Sequence, residues 1–260
     1  MSVKLLTPIS HLFHIKKDML EIVELSDELE ARERTCDLNV DNTTHYHIDF
    51  DLNIGLTDNQ IKFLEKYVKP NEKIQTLTFQ AARDCEEVEL KDNKYFPKSK
   101  PLDLKIQVEN TKISTNKIRD IVGNFRKIGI ENNNFYNTGA YLICTSPEYI
   151  LESCEKANLN LLFDYAHAMV TCINGKTNFE SYANKLLENI TCNQFHLCEP
   201  TFFYDESGVH AVDSHNLPSP VSTYSALDLM KKYSAEFLTI EYYREPENLI
   251  KYLNYLKGLI

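Results

Sequence analysis

Apolar runs that end on an ionisable residue recur along this chain, and they limit its fold more than any other feature. NLLFD (160–164) stops at Asp164, QFHL (194–197) carries His196, and EFLTIEY (236–242) holds Glu241 near its end. Apolar runs of this length bounded by polar residues read as strands of a parallel sheet covered on both faces by helices. Helical patterns fall between them, and strand–helix alternation over the whole length fits a (β/α)8 barrel better than a doubly wound sheet. In such a barrel the strand C-termini surround the active site. Neither a Gly-x-Gly-x-x-Gly turn nor a Walker-type phosphate loop follows any strand, so the common nucleotide sites have no support. The expectation is one α/β TIM-barrel domain over residues 1–260.

In chain order, MLEIVEL (19–25) reads as a first strand and the charged SDELEARER after it as a helix. HYHIDF (45–50) is an alternating strand, followed by a helix capped at Thr57 or Asp58 with Ile61, Leu64 and Val68 on one face. KIQTLTFQ (73–80) is the next strand. Residues 81–103 read as a long loop over one end of the barrel, a length that marks a functional or disordered segment. LKIQV (104–108) reads as a strand or as the lead into a helix at 114–126, and KIGIENN (127–133) as a strand carrying Glu131. Thr145 or Ser146 caps a helix with Pro147 in its first turn, and NFESYANKLLEN is a further helix. A loop over 199–221 leads to a helix from about Ser222, and Pro246 opens the last one.

At 260 residues the chain suits a single barrel and can bury a core without covalent staples. Lys and Arg (28) against Asp and Glu (38) leave a formal charge of −10, so nucleic acid is not expected as a substrate. Seven scattered cysteines with no CxxC pair read as reduced thiols in a cytoplasmic protein. No stretch approaches the ~20 apolar residues of a membrane span.

The chemistry concentrates in residues 160–215. FDYAH brings Asp164 and His167, QFHL brings His196, and VDSH brings Asp213 and His215, with Glu131 before them and Glu241 after. Alone, each is an ordinary core, capping or surface residue. Together at successive strand ends, imidazoles and carboxylates are the ligand set of a divalent metal, and buried carboxylates in one mouth require cations. Carboxylates can bridge ions, so the set suits two. Tyr165 and His210 beside it are candidate acid/base residues. Asn132 and Asn133 are candidates for orienting ligands, and Arg244 for an anionic group. Cys198, two residues past His196, is the cysteine nearest the set.

Glu, then DxxH, His, DxH and Glu is the ligand order of xylose isomerase-like barrels of the endonuclease IV type, which this chain resembles at Glu131, Asp164, His167, His196, Asp213, His215 and Glu241. The stretch from NLLFDYAH to QFHLCEP, with DSHNLP and TIEYY, is similar to the multinuclear non-heme iron-dependent oxidases. The resemblance covers about residues 125–258 well and 40–80 weakly. It implies an early His ligand at His47, with His45 as the alternative, and a second early His where Gln80 stands. It also implies two or possibly three iron ions, with zinc or manganese as alternatives, and use of dioxygen to modify cysteine in a ribosomally made precursor peptide. A separate peptide-presenting protein often accompanies such enzymes. A sugar isomerase or epimerase and a DNA-repair phosphodiesterase share the barrel and its ligand order, and a binding-only barrel is the non-enzymatic alternative.

Overall fold

The computed structural model describes residues 3–206 and 208–260. Among these, eight parallel strands close into a barrel in the order β1 (Lys4–Pro8), β2 (Glu28–Arg32), β3 (Thr43–Asp51), β4 (Thr76–Gln80), β7 (Lys127–Glu131), β8 (Asn160–Asp164), β9 (Cys192–Leu197) and β12 (Phe237–Ile240). The ring is completed by β12 pairing with β1. Two antiparallel hairpins, β5–β6 (Val88–Lys91, Lys94–Pro97) and β10–β11 (Glu199–Asp205, Gly208–Asn216), are additions to it. Helices α1 (Lys16–Leu25), α2 (Asp58–Phe63), α3 (Leu104–Val122), α4 (Pro147–Ala157), α5 (Tyr165–Asn174), α6 (Phe179–Leu187), α7 (Pro220–Tyr233) and α8 (Pro246–Lys257) complete the chain. Between β2 and β3 there is only a short 3-10 turn at Glu33–Thr35. No described helix is long and apolar enough to cross a membrane.

The strands alternate more strictly than continuous apolar runs would. Glu30, Thr78, Gln194 and Thr239 are buried polar residues on strands whose alternate positions are Leu29, Leu77, Phe195 and Leu238. The polar set points inward, because Gln194 on β9 donates to Glu30 on β2, two strands that are not neighbours in the ring. The apolar set lies under the helices and forms the main core with Ile22, Val108, Ile150, Leu186 and Leu253. The barrel interior is therefore polar, where TIM barrels are usually filled by Val, Ile and Leu.

Helix starts follow local chemistry. Thr57 closes a capping box with Gln60 at α2, and Ser146 caps α4 ahead of Pro147. Asp103 caps α3, so LKIQV opens a 19-residue helix and is not a strand. The first two elements take exchanged roles relative to the sequence expectation. Residues 19–25 lie in helix α1, since Met19, Ile22 and Val23 recur at helical spacing, and SDELEARER contains strand β2. The helix propensity of Glu, Leu, Ala and Arg is overridden by tertiary position, with Glu30 and Arg32 turned inward and Leu29 and Ala31 toward the helices. The true first strand is the short KLLTP. Both expected long loops contain hairpins, β5–β6 within 81–103 and β10–β11 within 199–221.

Candidate metal centre

Four barrel strands deliver their chemistry at their C-terminal ends. Glu131 is the last residue of β7, Asp164 the last of β8, His196 lies one before the end of β9, and Glu241 follows β12. His167 sits in the first turn of α5, whose N-cap is Asp164; the Asp164 carboxylate accepts the His167 backbone N–H at 2.6 Å. One local motif therefore aims both side chains. Asp213 and His215 come from hairpin strand β11, which the fold lays against α5. His215 has φ of 46°, a left-handed conformation uncommon for a residue with a side chain. Such conformations persist where the surroundings over-determine them, often at functional sites.

The groups converge. His196 Nδ1 stands 3.2 Å from both Glu131 Oε1 and Glu241 Oε1, and 4.0 Å from Asp164 Oδ2. His167 Nε2 lies 3.4 Å from Asp213 Oδ2 and 4.0 Å from Asp164 Oδ2. His215 Nε2 is 3.4 Å from Asp213 Oδ2 and 3.5 Å from Glu241 Oε2. His47 Nε2 is 3.6 Å from Glu131 Oε2. Donor atoms about 2.0–2.2 Å from a common ion stand roughly 3–3.5 Å apart, so these separations are near those of shared coordination. Glu131 Oε2, Asp164 Oδ2 and His196 Nδ1 are buried without a hydrogen-bond partner. Buried polar atoms are rarely left so, and three on one centre suit a cation-binding position.

Behind the donors lies a layer that fixes their direction. His167 Nδ1 is 2.9 Å from the Asn132 carbonyl, which leaves Nε2 facing the cavity. Asn132 also ties to Asp164, accepting its N–H at 2.8 Å and donating to its carbonyl at 2.9 Å. His47 Nδ1 pairs with Thr78 Oγ1 at 2.9 Å. His196 Nε2 meets Glu30 Oε2 at 3.0 Å, so Nδ1 is its cavity-facing nitrogen. Glu30 is fully buried and its other oxygen takes Arg32 at 2.6 Å. Arg32 also bonds Glu241, which accepts from Tyr243 as well. The sequence patterns do not single out Glu30 and Arg32, because β2 reads as a helix.

The electrostatics agree with a site built for cations. Burial, together with the carboxylates of Glu241, Glu131 and Asp213, pushes Asp164 up to about 7 against the pull of His167. Burial opposes protonation of His196 and His167, yet facing carboxylates outweigh it and hold both well above the usual imidazole value. Burial would also raise Glu30, but Arg32 and His196 outweigh it and hold that carboxyl low. The carboxylates thus favour positive charge among them, the charge an ion would bring.

Other expected residues lie elsewhere. His45 is at the opposite end of the barrel, its ring 4.5 Å from Phe237, so of the two early histidines His47 is the one at the mouth. Gln80 stands between His47 Nε2 (3.3 Å) and Asp49 Oδ1 (3.2 Å). The structure does not bring Tyr165 or His210 to the centre. Tyr165 packs edge-on against Phe179, and His210 lies on β11 with Nε2 3.3 Å from Asp205 Oδ1. Arg244 donates to the Ser214 carbonyl, which steadies the turn beside His215. Above the donors opens a cavity of about 880 Å³ lined by Arg32, Asp49, Tyr95, Asn133, Tyr136 and Tyr141, among others. Tyr95 comes from the β5–β6 hairpin, so this insertion forms part of the cavity wall.

No family model matches the chain, and no curated protein matches it by sequence. Solved structures match it over nearly its whole length. A 3-keto-D-glucoside 4-epimerase from E. coli is 12% identical with a TM-score of 0.61, covering 99% of this chain and 100% of its own. D-allulose 3-epimerase from Methylomonas sp. is 12% identical with a TM-score of 0.63, covering 98% and 96%. Endonuclease IV from Thermus thermophilus is 11% identical with a TM-score of 0.58, covering 98% and 99%. At such identities the likeness speaks for architecture alone. The chain folds as a closed eight-stranded TIM-type (β/α) barrel, the architecture it shares with these structures.

Proposed function

We propose that this chain is a metal-dependent enzyme whose barrel mouth holds more than one divalent ion. The observation that carries this reading is the set of buried donors without a hydrogen-bond partner, Glu131 Oε2, Asp164 Oδ2 and His196 Nδ1, inside a ring of further carboxylates and imidazoles. Glu131, Asp164, His196 and Glu241 would hold one ion, and His167, Asp213 and His215 another, with His47 reaching Glu131 from a third side. Bound ions supply Lewis acidity toward an oxygen-bearing substrate. The chain's own residues do the positioning: Glu30 and Asn132 set the imidazole orientations, while Arg32 and Tyr243 hold Glu241.

Within that class, the comparisons favour isomerisation or epimerisation of a small sugar. Glu131 and Glu241, each 3.2 Å from the same imidazole nitrogen, are a carboxylate pair that could take a proton from a carbon beside a carbonyl and return it. Amide and phenol groups along the cavity suit a polyol. A second reading is a multinuclear iron oxidase that uses dioxygen to modify cysteine in a ribosomally made peptide, presented by a partner protein. It is favoured by the size of the donor set, which exceeds the needs of one ion and mixes imidazole with carboxylate as Fe(II) prefers.

The deciding experiment counts iron, zinc and manganese per chain in protein purified without oxygen, then reads two signals. Exchange of a substrate carbon-bound proton with deuterated solvent, independent of oxygen, would favour the sugar enzyme. Two or more irons with an oxygen-dependent change in visible absorption would favour the oxidase. Failure to take up any metal on reconstitution would remove both.

A further inference from the structure

Cys198 immediately follows β9, two residues beyond His196, and it differs from the other buried cysteines. Cys85, Cys144, Cys154, Cys172 and Cys192 belong to the hydrophobic core, where cysteine acts as a small apolar side chain. Cys198 is equally inaccessible, at 0% exposure, yet it does not belong to that cluster. Its Sγ points at Asp213 Oδ1, 3.6 Å away. Sγ, an Asp213 oxygen and a His215 nitrogen all lie within 4.8 Å of one another.

A buried donor without a hydrogen-bond partner stands next to this space, across His167. Asp164 Oδ2, buried and without a hydrogen-bond partner, is 4.0 Å from His167 Nε2, which is itself 3.4 Å from Asp213 Oδ2. His215 is held there in its left-handed conformation. The Cys198 thiol, the Asp213 carboxylate and the imidazoles of His167 and His215 thus share one corner of the mouth, with Asp164 on its side toward the other position.

We propose that Cys198 supplies a thiolate ligand to the ion held by Asp213 and His215. This rests on the multi-ion reading above. It makes the two positions chemically unlike: Glu131, Asp164, His196 and Glu241 offer only oxygen and nitrogen, whereas the Asp213–His215 position gains a soft sulfur donor. Sulfur selects zinc, cobalt or iron over magnesium, manganese or calcium. On binding, the thiol proton leaves to solvent and the sulfur lone pair bonds the ion.

Cobalt(II) provides the test, because thiolate ligation adds a near-ultraviolet charge-transfer band to the visible ligand-field bands. The full chain, titrated with cobalt(II) under argon, is expected to show both. Cys198→Ser and Cys198→Ala are expected to keep the visible bands and lose the near-ultraviolet one, with thermal melts run alongside to confirm folding. Visible bands without the near-ultraviolet band in the unaltered chain would overturn the thiolate and leave the multi-ion reading standing. So would a near-ultraviolet band that survives in both variants. Absence of any cobalt(II) bands would overturn both.

Discussion

At the residue scale, the centre depends on groups that do not themselves face the cavity. Glu30 orients His196 from behind through Nε2, as carboxylates commonly orient metal-bound histidines, and removing such a partner typically costs 10–100-fold in metal affinity. Glu30→Gln keeps the shape but loses the charge that fixes the imidazole. Its metal affinity, measured by competition with a chromophoric chelator, is expected to fall about tenfold or more. An affinity within twofold of the unaltered chain would mean that Glu30 only balances Arg32. The candidate donors Glu131, Asp164, His196 and Glu241 are legible in the sequence because each closes or adjoins a recognisable strand pattern, whereas Asp213 and His215, in a stretch that reads as a loop, stand out only by their Asp-x-His spacing. Glu30 and Arg32 are not legible, since five residues of Glu, Leu, Ala and Arg read equally well as helix until neighbouring strands claim them. Tyr165 departs from expectation for the opposite reason: it adjoins Asp164 in sequence, yet its ring turns toward Phe179 and away from the centre.

At the element scale, the barrel and its insertions divide the labour. Strand ends supply Glu131, Asp164, His196 and Glu241, while the β10–β11 hairpin supplies Asp213 and His215. Replacing both hairpin donors, Asp213→Asn with His215→Ala, is expected to lower bound metal by one ion per chain with far-ultraviolet circular dichroism unchanged. Loss of all metal would instead show a single shared site. The hairpins look like loops in sequence because polar, Pro- and Asp-containing residues interrupt their short apolar runs, such as TFFY; the barrel rim orders them. Helix starts, by contrast, are written locally. Ser146 Oγ accepts the Tyr149 N–H at 3.2 Å, and Ser146→Ala is expected to cost about 1 kcal/mol in urea unfolding. A cost near zero would show that Pro147 and packing suffice to start α4.

At the scale of the whole molecule, a barrel interior lined by buried carboxylates is destabilising unless positive charge sits among them. An ion that binds only the folded chain should add stability by mass action, about 3 kcal/mol at a hundredfold excess over its dissociation constant. Chelator treatment is therefore expected to lower the thermal midpoint by several degrees, with recovery on adding metal back. An unchanged midpoint would argue that protonated histidines already satisfy the carboxylates. By itself the sequence determined the barrel class and pointed to most of the residues that meet at the mouth, because strand alternation, helix caps and strand-end positions are properties of short windows. Only the tertiary structure decided which early histidine faces the mouth, that Cys198 turns away from the core, and that Glu30 stands behind His196. Glu30 and His196 are 166 residues apart on strands that are not neighbours, and ring closure alone brings them within 3.0 Å.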